Sequence, residues 1–209
     1  MLRRIEKLQY ITHTSPSLDH CELAQKACKG GIKWVQLRVK DQVTEEWLDT
    51  AKRAKKICEE HGAALIINDN VEIAKLVGAD GVHLGKDDMS PVEARQILGE
   101  NCIIGGTANT FEDVQNAVSK GVDYVGLGPF RFTITKEKLS PKLALEGYQK
   151  IVEACQKHDI EIPLVAIGGI RVEDVEEILK TGVHGVAVGT AIGFGDPTDN
   201  AQKFVEAIY

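Results

Sequence analysis

The sequence predicts an α/β chain closed into a (β/α)8 barrel, the TIM architecture, and three observations carry that prediction. A glycine-led, strand-like segment recurs four times, at Gly31-Ile-Lys-Trp-Val-Gln-Leu-Arg38, Gly78-Ala-Asp-Gly-Val-His-Leu-Gly85, Gly121-Val-Asp-Tyr-Val-Gly-Leu-Gly128 and Gly182-Val-His-Gly-Val-Ala-Val-Gly189. Other short apolar runs fall between these segments, and helix-spaced apolar residues fill the intervals. Eight βα units over 209 residues leave about 26 residues each, near the lower limit of that fold.

Taken in order, Leu8-Gln9-Tyr10-Ile11 supplies the first strand and the Gly31 segment the second. Trp47, Ala51, Ala54 and Cys58 then recur every three to four residues, the spacing of one helical face, before Gly62. Leu65-Ile66-Ile67 is the third strand, the Gly78 segment the fourth and Ile103-Ile104 the fifth. Thr110-Phe-Glu-Asp113 has the form of a capping box with Asp in place of Glu. Phe111, Val114, Ala117 and Val118 make the apolar face of the helix it opens, which closes at Gly121 and feeds the sixth strand. Leu164-Val165-Ala166-Ile167 is the seventh strand. Val172, Val175, Ile178 and Leu179 mark a helix ahead of Gly182 and the eighth strand. In each repeat a glycine that can adopt the left-handed conformation ends a helix and a β-prone run follows. An open doubly wound sheet would need a switch point where strand order reverses, whereas the two-unit repeat here continues to the chain end. One domain spanning residues 1–209 is the expected organisation.

Composition narrows the function classes. A net charge of -6 argues against a general nucleic-acid binder, which needs clustered Lys and Arg to neutralise phosphates. The charge-free stretch from Thr181 to Gly195 contains five glycines and is too short for a membrane span, and the N-terminus lacks the apolar core of a secretory signal. A cytoplasmic protein is expected. Cys21, Cys28, Cys58, Cys102 and Cys155 are widely spaced, include no Cys-x-x-Cys pair and read as buried reduced thiols.

Active sites of such barrels form at the carboxyl-terminal ends of the strands. The residues after each apolar run are polar there: Gln36, Arg38 and Lys40, then Asn68 and Asp69, then Asp87 and Asp88, then Thr107, then Thr133, Thr135 and Lys136, then Gly168 and Gly169, then Gly189 and Thr190. Gln36, Arg38 and Lys40 alternate, as residues on one side of a strand do. Asp69 and a carboxylate from the next loop could share a cation, and Mg²⁺ suits one or two carboxylates completed by water and phosphate oxygens. The paired glycines suit a phosphate site. Plainer readings stand beside these: Asn68 or Asp69 as a helix cap, Asp87 and Asp88 as solvated loop acids, Gly168, Gly169 and Gly189 as turn glycines. The segment from Pro129 to Lys142 carries Arg131, Lys136, Lys138 and Lys142 against Glu137 and reads as a functional basic loop. His83, inside the fourth strand, reads as a packed, hydrogen-bonded residue.

Six segments, Val35-Gln-Leu-Arg-Val-Lys40, Ile66-Ile-Asn-Asp69, Gly81-Val-His-Leu-Gly-Lys-Asp-Asp88, Tyr124-Val-Gly-Leu-Gly-Pro129, Thr133-Ile-Thr-Lys136 and Ala166-Ile-Gly-Gly-Ile170, give the chain its resemblance to thiamine phosphate synthases, which extends from Leu8 to Pro197. The resemblance implies a Mg²⁺-dependent transferase that joins 4-amino-2-methyl-5-(diphosphooxymethyl)pyrimidine to a hydroxyethylthiazole phosphate, releases pyrophosphate and yields thiamine phosphate by a dissociative route. It implies Asp69 and Asp88 as metal ligands, and Gln36, Arg38, Lys40, Asn68, Thr107 and Lys136 as pyrimidine-diphosphate ligands. Arg38, Lys136 and Thr107 would be the catalytic groups among them. Thr133, Ile134, Thr135, Gly169, Gly189 and Thr190 would hold the thiazole phosphate. The family commonly has Glu at the place of Val39, Ser at that of Thr107 and Ser-Ala-Ile where Gly189-Thr190-Ala191-Ile192 stands. A thiazole tautomerase or a non-catalytic phosphometabolite-binding barrel is the alternative, and a homo-oligomer is compatible with the sequence.

Overall fold

Eight parallel strands among the described residues pair each with the next and close on themselves. They are β1 (Leu8–Ile11), β2 (Trp34–Leu37), β3 (Ala64–Asn68), β4 (Gly81–Leu84), β5 (Ile103–Ala108), β6 (Tyr124–Leu127), β7 (Leu164–Ile167) and β8 (Gly185–Val188). Closure runs through Leu8, Gln9 and Tyr10 of β1 beside Val186, Ala187 and Val188 of β8. These positions come from a computed structural model that describes residues 5–40, 44–131 and 142–209. The expected (β/α)8 barrel is thus observed.

The helices are α1 (His20–Lys29), α2 (Thr44–Glu60), α3 (Val71–Val77), α4 (Pro91–Leu98), α5 (Phe111–Ser119), α6 (Ala144–Lys157), α7 (Val175–Lys180), α8 (Thr190–Gly193) and α9 (Pro197–Ile208). Local chemistry sets their ends. The Thr110 hydroxyl accepts from the Asp113 amide at 3.2 Å while the Asp113 carboxylate accepts from the Thr110 amide at 3.0 Å, the capping box read in the sequence. Asp19 and Glu22 make the same reciprocal pair at α1. Gly31, Gly78, Gly121 and Gly182, the repeat glycines, have φ of 101°, 61°, 75° and 90°, the region that disfavours a side chain. One element was not anticipated, the four-residue α8 between β8 and α9. None of the helices among the described residues is long and apolar enough to cross a membrane.

Alternation along the strands produces two packed layers. Outward residues such as Val35, Leu65, Ile67, Val82, Ile104 and Val186 meet the helices in a continuous core. Inside the barrel, Ile11, Trp34, Ile66, Ile103, Tyr124, Val165 and Ala187 form a second, smaller cluster. Trp34 and Tyr124 meet edge to face at 4.8 Å. Glycine makes room for Tyr124, since a Cβ on Gly105 would lie 2.2 Å from its ring, and for the close approach of β4 to β5, since one on Gly81 would lie 2.4 Å from the Ile103 carbonyl. All five cysteines are buried thiols, as expected.

Candidate active site at the carboxyl-terminal rim

Strand β2 ends at Leu37, so the alternation expected of Gln36, Arg38 and Lys40 holds only for the first of them. Gln36 is buried inside the barrel and its amide donates to Gln9 at 3.1 Å. Arg38 lies just past the strand, half-buried, and Lys40 is exposed. The Arg38 main chain is held by a residue the sequence reading passed over. The Thr12 hydroxyl, at the end of β1, accepts from the Arg38 amide at 3.0 Å and meets His20 Nδ1 at 2.8 Å. Val39, where the resemblance led us to expect Glu, is buried in the outer core. An apolar side chain suits that position because an unpaired carboxylate there would lose its hydration.

Asn70 is the cap of α3, with its side-chain oxygen accepting from the Ile73 amide at 2.9 Å. The helix-cap reading of Asn68 and Asp69 is therefore corrected: neither is consumed by the cap. Asp69 has φ of 64°, rare for a residue with a side chain, and its amide donates to the His83 carbonyl at 2.8 Å. This conformation carries the chain from β3 into the cap and leaves the Asp69 carboxyl against that of Asp88. The Asp88 carboxylate is fixed from behind by the Gly85 amide at 2.6 Å. Desolvation at the rim, then the hydrogen bond to Asp88 and repulsion from it, push the Asp69 carboxyl up to about 6, while the Arg38 charge and a bond from Asn68 act the other way. Asp87, next in sequence, is exposed. Two carboxylates forced together, with a guanidinium close by, are a donor set that a hard divalent cation would relieve, because its charge replaces the shared proton. No group of three or more candidate ligating side chains occurs among the described residues, so any cation here would draw its remaining ligands from water and substrate.

Thr107, in β5, meets His83 Nε2 through its hydroxyl at 3.0 Å. His83 is buried and hydrogen-bonded, as the sequence suggested, with Nδ1 2.9 Å from the Tyr124 hydroxyl.

The far side of the rim is built from backbone. Gly168 and Gly169 follow β7 with φ of 105° and 66°. Gly168 could not carry a side chain, since its Cβ would meet that of Pro129 at 2.7 Å. Gly189 precedes α8, and a Cβ there would come only within 3.3 Å of the Ile11 carbonyl, a contact a small shift would relieve. Thr190, the first residue of α8, is exposed. Arg131, expected as part of a basic binding loop, is tied instead: both guanidinium nitrogens bond the Asp174 carboxylate, and Nη1 donates to the Gly169 carbonyl at 3.0 Å. It braces the glycine turn. Thr133, Ile134, Thr135 and Lys136 lie outside the described residues.

Comparison with known proteins accords with this geometry. A family model described as thiamine monophosphate synthase matches residues 8–192. The thiamine-phosphate synthase of Bacteroides thetaiotaomicron is 50% identical over 199 residues, covering 95% of this chain and 95% of its own length. That of Flavobacterium johnsoniae is 49% identical over 190 residues, 91% of this chain and 90% of its own. Among solved structures, the thiamine phosphate pyrophosphorylase of Pyrococcus furiosus superposes with a TM-score of 0.85 at 35% identity, over 96% of this chain and 94% of that one. The chain belongs to the thiamine monophosphate synthase family.

Proposed function

We infer that the chain is a working thiamine-phosphate synthase, a transferase that joins 4-amino-2-methyl-5-(diphosphooxymethyl)pyrimidine to a hydroxyethylthiazole phosphate and releases pyrophosphate. Family membership supports the reaction class. The observation that carries the site is the contact of Asp69 with Asp88 beside Arg38, at the ends of adjacent strands. The residues present fit Mg²⁺, with Asp69 and Asp88 as its protein ligands; bound there it would supply positive charge against the diphosphate oxygens.

In this reading the bond between the pyrimidine methylene and the diphosphate breaks first, and the thiazole nitrogen captures the resulting pyrimidinylmethyl cation. Negative charge then grows on the leaving pyrophosphate. Arg38 opposes it with a planar fork of donors, and Lys40 and Lys136 add charge, so their attraction is stronger in the transition state than in the ground state. Gln36, Asn68 and Thr107 orient the pyrimidine diphosphate. The thiazole phosphate is assigned to Thr133, Ile134 and Thr135 together with the glycine side, Gly169, Gly189 and Thr190, where backbone N–H groups can face an anion. No nucleophile or strong base is needed. The whole chain would fold as one barrel domain of residues 1–209.

The test is a coupling assay with both substrates, with and without Mg²⁺, read by chromatography. Thiamine phosphate formed only with Mg²⁺ is the expected result. Binding of phosphate compounds without product from a folded sample would sink the synthase reading in favour of a binding barrel.

A further inference from the structure

Three successive carbonyls at the end of β7 accept from one short segment, Phe130 and Arg131. The Ile167 oxygen accepts from the Phe130 amide at 2.8 Å and the Gly168 oxygen from the Arg131 amide at 2.9 Å. The Gly169 oxygen accepts from Arg131 Nη1 at 3.0 Å. In a continuing strand successive carbonyls would alternate between the two sides. Here φ of 105° at Gly168 and 66° at Gly169 breaks the alternation and turns all three to the same side.

Peptide planarity sets the consequence. Across a trans peptide the N–H lies antiparallel to the preceding C=O, so the amides of Gly169 and Ile170 face away from Phe130 and Arg131. Successive N–H groups turned to one side make a concavity that attracts anions. The third carbonyl contact is the vulnerable one, because it depends on the aim of a long side chain. That aim is fixed twice. The Asp174 carboxylate takes both guanidinium nitrogens, Nη2 at 2.6 Å, and is itself held by the Arg171 amide at 2.9 Å. The guanidinium also lies over the Phe130 ring, 4.7 Å from its centre. The Asp174 side chain is only 11% exposed, a setting in which a carboxylate needs its partner.

We propose that Arg131 and Asp174 are positioning residues that hold the Gly169 carbonyl toward Arg131, so that the amides of Gly169 and Ile170 are left to bind the phosphate of the thiazole substrate. The proposal rests on the assignment of Gly169 to that phosphate made above. Arg131 serves the anion through the peptide it orients and not through its own charge, which Asp174 neutralises. A flipped Gly169 peptide would present its negative oxygen to the phosphate instead of the Ile170 N–H.

Asp174→Asn separates the two ways in which Arg131 could act. It keeps the side-chain shape and an oxygen for the Arg171 amide but gives up the charge that restrains the guanidinium. KM for the thiazole phosphate should rise about fivefold, with less than about twofold change in kcat and in KM for the pyrimidine diphosphate. A fall in the thiazole-phosphate KM would make the released Arg131 a direct phosphate ligand and overturn the proposal, as would an equal rise for both substrates. Arg131→Met, which removes every donor, should raise the same KM about tenfold. Amide ¹H–¹⁵N NMR gives a reading that does not depend on turnover, with thiazole phosphate titrated into protein saturated with Mg²⁺ and pyrophosphate. The Gly169 and Ile170 signals should shift, and the midpoint should move about tenfold higher in Arg131→Met. Signals of Gly169 and Ile170 that stay still in a protein that makes thiamine phosphate would overturn the proposal. The expected shifts and their displacement in a protein that makes none would overturn the proposed activity and leave the positioning role standing.

Discussion

In the proposed function, the two halves of the rim handle phosphate by opposite means. At the ends of β3 and β4 the work falls to side chains, with Asp69 against Asp88 and Arg38 near them. At the ends of β7 and β8 it falls to main chain, with Gly168 and Gly169 in left-handed turns and Gly189 leading into α8. The difference follows from what each half is expected to meet. A leaving diphosphate changes charge during the reaction, so it calls for full charges and a cation whose attraction grows with it. A phosphate that only anchors its substrate keeps its charge, and fixed N–H dipoles suffice.

The sharpest way to break this contrast is to remove one carboxylate. Asp69→Asn should lower Mg²⁺-dependent turnover by about 100-fold or more while thermal melting stays within a few degrees of the parent. Near-parental turnover across a Mg²⁺ titration would take the metal away from this half. On the glycine half the expected effect is on the scaffold. Gly168→Ala adds a Cβ 2.7 Å from Pro129 at a φ of 105°, and should destabilise the protein by about 2 kcal/mol in denaturant melts. It should also raise KM for the thiazole phosphate more than for the pyrimidine diphosphate; a uniform rise would erase the division between the halves.

The smallest effect is a pH dependence confined to the acidic half. Because the Asp69 carboxyl is raised to about 6, the metal-free native state holds a proton that the unfolded chain releases near its ordinary value of about 4. The associated stability is complete below about pH 4 and is lost as pH rises through about 6. Mg²⁺ should therefore raise the melting temperature more at about pH 7 than at about pH 5, and Asp69→Asn should flatten that difference. A Mg²⁺ increment that does not vary with pH would show that the acids do not share the ion.

The architecture was legible because it is written in local chemistry. The four repeat glycines all take the left-handed conformation that the helix-to-strand reading requires, and the Thr110 to Asp113 box caps α5 as its spacing says. The rim was legible in residue types but less so in partners. Asn70 rather than Asn68 or Asp69 caps α3, a choice among three neighbouring polar residues that only the backbone path decides. Arg131 looked like an anion binder because sequence shows charge and not the Asp174 that neutralises it from 43 residues away. The buried hydrogen bonds from Gln9 to Tyr124, Tyr124 to His83 and His83 to Thr107 cross between strands distant in sequence, so no local pattern announces them; the inward glycines Gly105 and Gly126, in strands where side chains are the norm, were the available signal. Lys40 read as sharing one side of a strand with Gln36 and Arg38 because alternation was extended past Leu37, where the strand had already ended.

Asp69 combines two liabilities in one residue, a left-handed backbone and a carboxylate pressed against another carboxylate. Either would be relieved by glycine, which favours that φ and bears no charge. A lineage selected for robustness alone would drift toward that replacement and gain heat tolerance while losing the proposed metal ligand. Aspartate at a place where the backbone would favour glycine points to chemistry rather than stability as the reason for its presence, readable from a single backbone angle.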